Sequence, residues 1–304
     1  MLNNNKKKQE YWRSQVEIIR SDSEHSSVYL ADEALKIIEE FIEKQLYRNR
    51  TELLQTLSKL GNALVRAKPL MALIYARAHR LVEFIKSIPK EERDIFRIKQ
   101  MALEEISRIK KETEENHRKI THFGARMILD HHVVLTHSSS SVVESILLEA
   151  KQMKKRFRLI CTESRPRYEG LKLAKRMAQA GIKTKVIPDS DISRAIGEAH
   201  FILTGTDRIT ENSFINKTGT LALAIIAKEF DKPFYIAADT NKILLKRTYP
   251  VRFLSVNENE IVQNPHENLT VQNIYFEEIP LKYLHKIISE VSIFERDEFI
   301  ERFL

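Results

Sequence analysis

Glycine divides this chain. Of its seven glycines, Gly61 alone precedes residue 124, and the other six fall between Gly124 and Gly219. A segment almost without glycine has almost no turns that need a positive φ, so its first part can be built only from elements with few tight reversals. Apolar residues there recur at helical spacing, at Leu30, Ala34, Ile37, Phe41 and Leu46, then at Ile95, Ile98, Ala102, Ile106 and Ile109. The second series continues through Ile120 and Phe123 to Met127 without a proline, which predicts one long helix from the stretch EERDIFRIKQ onward. Residues 1–125 therefore read as an all-helical domain or arm.

From residue 132 the period changes. Short apolar runs, HVVLTH, RLICTE, KTKVIP, HFILTG and PFYIAAD, alternate with the helical stretches SSVVESILLEAKQM, YEGLKLAKRMAQAG, SDISRAIGEA and TGTLALAIIAKEF. That rhythm predicts an α/β fold over residues 126–304, a Rossmann-like parallel sheet with crossover helices on both faces. In such sheets ligands bind beyond the carboxyl ends of the strands. The loops to inspect are THSSSS, TESRPRYEG, IPDSD, TGTDRITENSFINKTGT and AADTNK.

A chain of 304 residues has room for two domains, at about 100 to 200 residues each. With 42% hydrophobic against 30% charged residues it is too apolar to be disordered. No apolar run approaches the roughly 18 residues of a membrane span, and MLNNNKKKQEYW carries no apolar stretch of a secretion signal, so a cytoplasmic protein is expected. One cysteine, Cys161, precludes an internal disulfide framework and suits a reducing compartment. A formal net charge of +8 invites an anionic partner, yet only KKK at 6–8 and KQMKKRFR at 151–158 look like clusters, and such runs are usually solvated faces. Without interleaved aromatics or a recognition module, direct nucleic-acid binding is not expected. The ten histidines show no metal-ligand spacing, and His131 and His132 would point to opposite faces of a strand, so no metal is expected.

Several loop residues carry chemistry. Asp207 follows a strand directly, where its carboxylate can serve as a general acid or base; the plainer reading is an Asx turn. Asn216, Lys217, Gly219 and Thr220 open the next helix, where backbone N–H groups, a cation and a glycine suit a phosphate; alternatively Asn216 or Thr218 merely caps that helix. Arg165 and Arg167 flank a proline and offer the planar fork that fits phosphate or carboxylate, although such pairs are more often surface ion pairs. Lys242, just past AADT, is a third cation on the same rim. There is no GxGxxG, Walker loop, GxSxG or HExxH.

Together these loops resemble one superfamily, which contains the α, β and δ subunits of eukaryotic translation initiation factor 2B and two sugar-phosphate isomerases, acting on ribose 1,5-bisphosphate and 5-methylthioribose 1-phosphate. The motifs that carry the likeness are THSSSS, TESRPRYEGLKLAKRMAQAGI, GTDRIT with INKTGT, KPFYIAADTNK and FEEIPLKYLHKIISEVSI, over roughly residues 120–304. The resemblance implies that Ser138 stands where the isomerases carry a cysteine. A thiol ionises near neutrality, at about 8.5, and can take the proton from the sugar's C2, whereas a serine hydroxyl needs an adjacent base. It further implies that Asp207 matches the second catalytic group, Asn216 and Lys217 a substrate-binding pair, and Lys242 a lysine of the bisphosphate branch, with Ser139, Ser140, Arg165 and Gly219 around the ligand. Lys68, in ALVRAKPLMAL, stands where an arginine contacts substrate. The isomerases' Arg-Gly-Ala phosphate loop has no counterpart here, and Asn212-Ser213 replaces an expected Asn-Gly in a loop one residue shorter. A compensating role for Cys161 is disfavoured by its place inside an apolar run.

Two functions follow from the resemblance. The first is a noncatalytic scaffold similar to the initiation factor's α subunit, binding a phosphorylated sugar or nucleotide. The second is an aldose–ketose isomerase using Asp207 with Ser138 or Cys161. Either way no cofactor is implied, a homodimer is expected, and other protein subunits are candidate partners.

Overall fold

The computed structural model describes residues 2–22 and 24–304; the side chains of residues 2–11, and with them the Lys6–Lys8 cluster, lie outside that description. The chain divides into two compact units, Met1–Glu115 and Asn116–Leu304. No helix among the described residues is long and apolar enough to cross a membrane.

The first unit is helical: α1 (Leu2–Ser21), α2 (Ser27–Lys44), α3 (Arg50–Ala67), α4 (Ala72–Ser87) and the first part of α5 (Ile95–Met127). Local signals set these limits. Ser26 Oγ accepts the Tyr29 N–H at the start of α2, and Asn49 Oδ1 accepts the Glu52 N–H at the start of α3 while Glu52 accepts the Arg48 N–H at 2.7 Å. Pro69 and Pro89 follow α3 and α4, where neither helix could continue. Leu30, Leu35, Ile38 and Ile42 of α2 pack inward with Leu53, Leu57, Leu60 and Leu64 of α3. The buried Arg77 is satisfied by Asp32 at 2.6 Å and by Thr113 Oγ1 at 3.3 Å. The predicted long helix is α5, 33 residues without interruption.

The second unit is an α/β domain. Strands β1 (Val133–Thr136), β2 (Arg158–Thr162), β3 (Lys183–Ile187), β4 (Phe201–Thr204) and β7 (Phe234–Ala237) are the five apolar runs read from the sequence. Helices α6 (Ser141–Gln152), α7 (Glu169–Gln179), α8 (Ile192–Ala195) and α9 (Thr220–Glu229) are the stretches between them. His131 and His132, read as strand residues, stand in the turn before β1, and His131 takes φ 66°.

The sequence did not disclose a second sheet. In it β5 (Arg208–Ile209), β6 (Ser213–Lys217) and β8 (Phe276–Pro280) pair antiparallel in the order β5-β6-β8. Strands β9 (Lys286–Ile288) and β10 (Ile293–Glu295) then join the main sheet, and α10 (Arg296–Phe303) ends the chain.

The main sheet runs β10-β9-β7-β4-β1-β2-β3, parallel except for β10. Its strands alternate between two cores, as period-two side chains must when both faces are covered. Val133, Leu135, Ile160, Ile202 and Ile236 face one core with α8 and α9; Val134, Leu159, Cys161, Leu203 and Ala237 face the other with α6, α7 and the end of α5. From β1 the chain proceeds outward through β2 and β3, then returns to place β4 on the opposite side of β1. The switch point therefore lies between β1 and β4.

Two devices pin the domain away from this point. Arg208, wholly buried, donates from Nε to the Leu244 carbonyl at 2.6 Å, and from Nη2 to Leu245 at 3.1 Å and to Tyr249, stitching residues 244–249 to β5. At the amino ends of the strands, His132, His200 and His285 accept on Nδ1 the N–H groups of Leu129, Val133 and Phe234 at 3.1–3.2 Å. Burial lowers the pKa of His132, aided by His200 and Lys155; burial also lowers that of His285, aided by Arg296 and opposed by Glu295.

Arg208→Leu should destabilise the fold by about 3 kcal/mol, because it strands the carbonyls of Leu244, Leu245 and Tyr249, and calorimetric melting would register it. For His132 and His285, a folded pKa below the unfolded value of about 6.5 means that their stabilisation is present above that pH and is lost as pH falls through the folded values. The melting temperature should drop between about pH 7 and pH 5, and His132→Asn/His285→Asn, which keeps the acceptors, should flatten the drop.

Candidate functional site

The carboxyl ends of β1, β2 and β4 each finish in threonine, Thr136, Thr162 and Thr204, all of them buried. Beyond them the loops meet around the switch point, where crossovers leave in opposite directions and a crevice must open.

His137 follows β1 and is buried at 3% exposure. Its Nδ1 lies 2.6 Å from Thr162 Oγ1, and its Nε2 lies 2.9 Å from the Thr218 carbonyl, which fixes the proton on Nε2. Burial pushes its pKa down, against the opposing pull of the Thr218 carbonyl and of Asp189. Gly219, at φ 105°, passes the ring so closely that a Cβ there would come within 2.9 Å of it. A side chain at 219 is excluded by both the backbone angle and the imidazole.

Ser138 takes a left-handed φ of 66°, and its N–H donates to Ser164 Oγ at 2.8 Å. Ser164, itself at φ 60° and fully buried, donates its own N–H to Asp189 Oδ1, and the next amide, of Arg165, donates to Asp189 Oδ2. Such backbone, held by surrounding hydrogen bonds, collects at sites that must present a side chain in one direction. Ser139 Oγ accepts from Arg176, which also pairs with Glu144 at 2.7 Å. Ser140, the N-cap residue of α6, lies against Gly205, where a Cβ would meet its hydroxyl at 2.3 Å. The β1 and β4 loops are thereby brought into contact.

Asp207 stands two residues beyond Gly205, its N–H bonded to the Ile215 carbonyl at 2.9 Å. Thr206 Oγ1 bonds the carbonyls of Arg208 and Ile215, and the Thr206 carbonyl accepts from Lys242 Nζ at 2.6 Å, so Asp207 and Lys242 share one support. His117, whose Nε2 meets Ser145 Oγ at 2.9 Å, has its pKa lowered chiefly by burial and next by Lys242, against Asp239. Asp239 accepts from Asn116 at 2.9 Å, and Thr240 donates to Glu290, whose pKa burial raises.

Asn216 and Lys217 do not open a helix, as the sequence reading had it. They end strand β6, because Thr210–Ser213 closes a hairpin that carries the chain back along β5. Both are nevertheless buried at the rim, with Asn216 Nδ2 3.1 Å from Thr220 Oγ1. The helix that follows, α9, has Gly219 at its N-cap, and Glu277 Oε1 accepts the N–H groups of Gly219 and Leu221 at 2.7 and 2.8 Å. The end of α9 thus carries one of the chain's own carboxylates where an anion was expected.

Other cations of the rim are also matched. Lys217 Nζ lies 2.9 Å from Glu169 Oε1 and 4.7 Å from the centre of the Tyr275 ring. Arg167 lies 3.6 Å from Glu260, which also accepts the Tyr275 hydroxyl. The Arg165 guanidinium stacks on Tyr168 at 5.2 Å. Lys68, in the helical unit, donates to the Asp22 carbonyl, and burial lowers its pKa. Cys161 is fully buried in β2, and burial pushes its thiol up to about 12. Among the described residues no group of three or more metal-ligating side chains assembles.

The structure therefore brings Ser138, Lys217 and Gly219 together around His137, and Ser140, Asp207 and Lys242 around the β4 loop. Sequence reasoning missed His137, Ser164, Glu169 and Glu277. His137 was adjacent to the serines and could have been weighed; Glu277 lies 58 residues from its partner Gly219 and gave no local signal.

Comparison with known proteins gives the chain's family. The profile of the Initiation factor 2 subunit family matches residues 23–296. An eIF-2B subunit 2-like protein of Pyrococcus horikoshii is 36% identical over 236 residues, covering 77% of this chain and 79% of that one. A protein of Methanocaldococcus jannaschii named ribose 1,5-bisphosphate isomerase is 30% identical over 265 residues, covering 86% and 83%. The solved structure of the Pyrococcus horikoshii translation initiation factor eIF-2B superposes with a TM-score of 0.77 at 31% identity, over 95% of this chain and 99% of that one. On its strand-end loops, its fold and these matches, the chain belongs to the initiation factor 2 subunit family, which unites eIF-2B-like proteins with sugar-phosphate isomerases.

Proposed function

We propose that this protein is a noncatalytic member of the family, a regulatory or scaffold subunit that binds a phosphorylated sugar or nucleotide at the crevice between β1 and β4. The observation that carries this reading is the state of the one thiol. Aldose–ketose isomerisation removes the proton from C2 and returns it to C1, which requires a base of suitable pKa at the reacting carbon. Cys161 is enclosed in the sheet with its pKa raised to about 12. Ser138 follows a histidine whose two ring nitrogens are already engaged with Thr162 and Thr218. A hydroxyl without a base is a weak proton acceptor near neutral pH.

What remains suits binding. In this reading Ser138, Ser139 and Ser140 supply hydroxyls, and Asn216, Lys217, Gly219, Asp207, Lys242 and Arg165 complete the contacts to the ligand. In this reading the protein acts as a homodimer, alone or with other subunits, in the cytoplasm. Solved structures of the same fold include the tetrameric eIF2B-beta2-delta2 complex from C. thermophilum, and in this reading association is likewise the mode of action. Lys68 keeps a cation where the resemblance expects substrate contact, but spends it on a backbone carbonyl.

A second reading, isomerase activity, draws on the Methanocaldococcus jannaschii relative and on the retention of Asp207 beside the support it shares with Lys242. The two part on one assay. Purified protein given ribose 1,5-bisphosphate or 5-methylthioribose 1-phosphate should form no ketose above background, whereas turnover abolished by Asp207→Asn would overturn the noncatalytic reading. In thermal-shift measurements across sugar phosphates and nucleoside monophosphates, at least one ligand should stabilise the protein. At about 100 times Kd the gain is about 2.7 kcal/mol, and Lys217→Ala or Lys242→Ala should remove most of it.

A further inference from the structure

Lys217 is a buried ammonium, 4% exposed, yet it is not waiting for an anion. Glu169, the first residue of α7, already meets it at 2.9 Å, and the Tyr275 ring covers it on another side. The approach of α7 is enforced: a Cβ at Gly170 would fall 1.9 Å from the Thr162 carbonyl oxygen, so only glycine lets Glu169 reach this depth. The carboxylate is half used. Oε1 holds the lysine, while Oε2 is buried and has no hydrogen-bond partner. A buried carboxylate oxygen without a donor is costly, and in a native structure it calls for an explanation. His137, next to Ser138, feels the charges of both Lys217 and Glu169, so the pair lies close enough to the β1 loop to act on what binds there.

We propose that Glu169 is the specificity-determining residue of this pocket: it cancels the charge of Lys217 and reserves Oε2 for a ligand hydroxyl. The pocket then selects a phosphorylated polyol, which brings a donor beside its phosphate, over a bare or multiply charged anion. This rests on the reading that the crevice binds a phosphorylated ligand. A carboxylate so near an incoming phosphate repels it, and the neutral isostere removes that repulsion while freeing the lysine.

Binding by calorimetry of inorganic phosphate and ribose 5-phosphate to wild type and Glu169→Gln tests the proposal. Glu169→Gln should tighten inorganic phosphate by about 10-fold or more and gain less with ribose 5-phosphate, because the acceptor for its hydroxyl is weakened. If Glu169→Gln fails to fold with its lysine unpaired, Lys217→Met is compared with Glu169→Gln/Lys217→Met, and the double variant should bind phosphate more tightly than Lys217→Met alone. Wild type that binds ribose 5-phosphate while neither comparison raises phosphate affinity would overturn the role of Glu169 and leave the binding function standing. Absence of binding of either ligand by wild type and every variant would overturn the binding function itself, and this inference with it.

Discussion

Parallel pairing of β1 with β4 is the constraint on which the candidate site depends. Because the chain leaves β1 towards β2 and later returns to the other side, the loops after these two neighbouring strands depart in opposite directions and cannot cover each other. The space between them is lined by whatever residues end the strands. Here those are Thr136 and Thr204, then the serines on one side and Gly205 to Asp207 on the other, with Gly205 and Ser140 in contact across the gap.

Charge at this crevice is balanced internally. Glu169 answers Lys217, Glu260 answers Arg167, Glu144 answers Arg176, and Glu277 answers the amino end of α9. A protein with a formal charge of +8 thus presents a rim whose cations are largely answered, and its affinity for anions cannot be inferred from the sum. Hydroxyls and amides carry the remaining polarity. The Lys217–Glu169 pair, whose lysine is buried, adds little net stability, since taking ions out of water roughly offsets their attraction.

The five parallel strands and the long helix α5 were legible in the sequence because each rests on a local period: apolar runs bounded by turn residues for β1, β2, β3, β4 and β7, and an unbroken 3.6-residue spacing for α5. The small sheet was not. Strand β5 has two residues, and β8 pairs with β6 from about 60 positions away, so no window of sequence contains the pairing. The misreading of Asn216 and Lys217 has the same origin. Their neighbours Gly219 and Thr220 gave a helix-start signal, while the pairing that makes them strand residues comes from Glu277 and Phe276. Ser138, Asp207, Lys217 and Lys242 were found because strand ends are where a parallel sheet concentrates its chemistry. Glu169 and Glu277 were missed because an acidic residue in a first turn or on a strand is common, and only its distant partner gives it meaning.

The enclosure of Cys161 has one more consequence. It is the chain's single sulfhydryl, set in the second strand with neighbouring strands on both sides and no accessible surface. A maleimide or disulfide reagent can reach it only after the helices α6 and α7 have left that face of the sheet, so alkylation proceeds at the frequency with which the domain opens. The protein carries a built-in clock for its own unfolding, readable by mass alone and without any engineered probe.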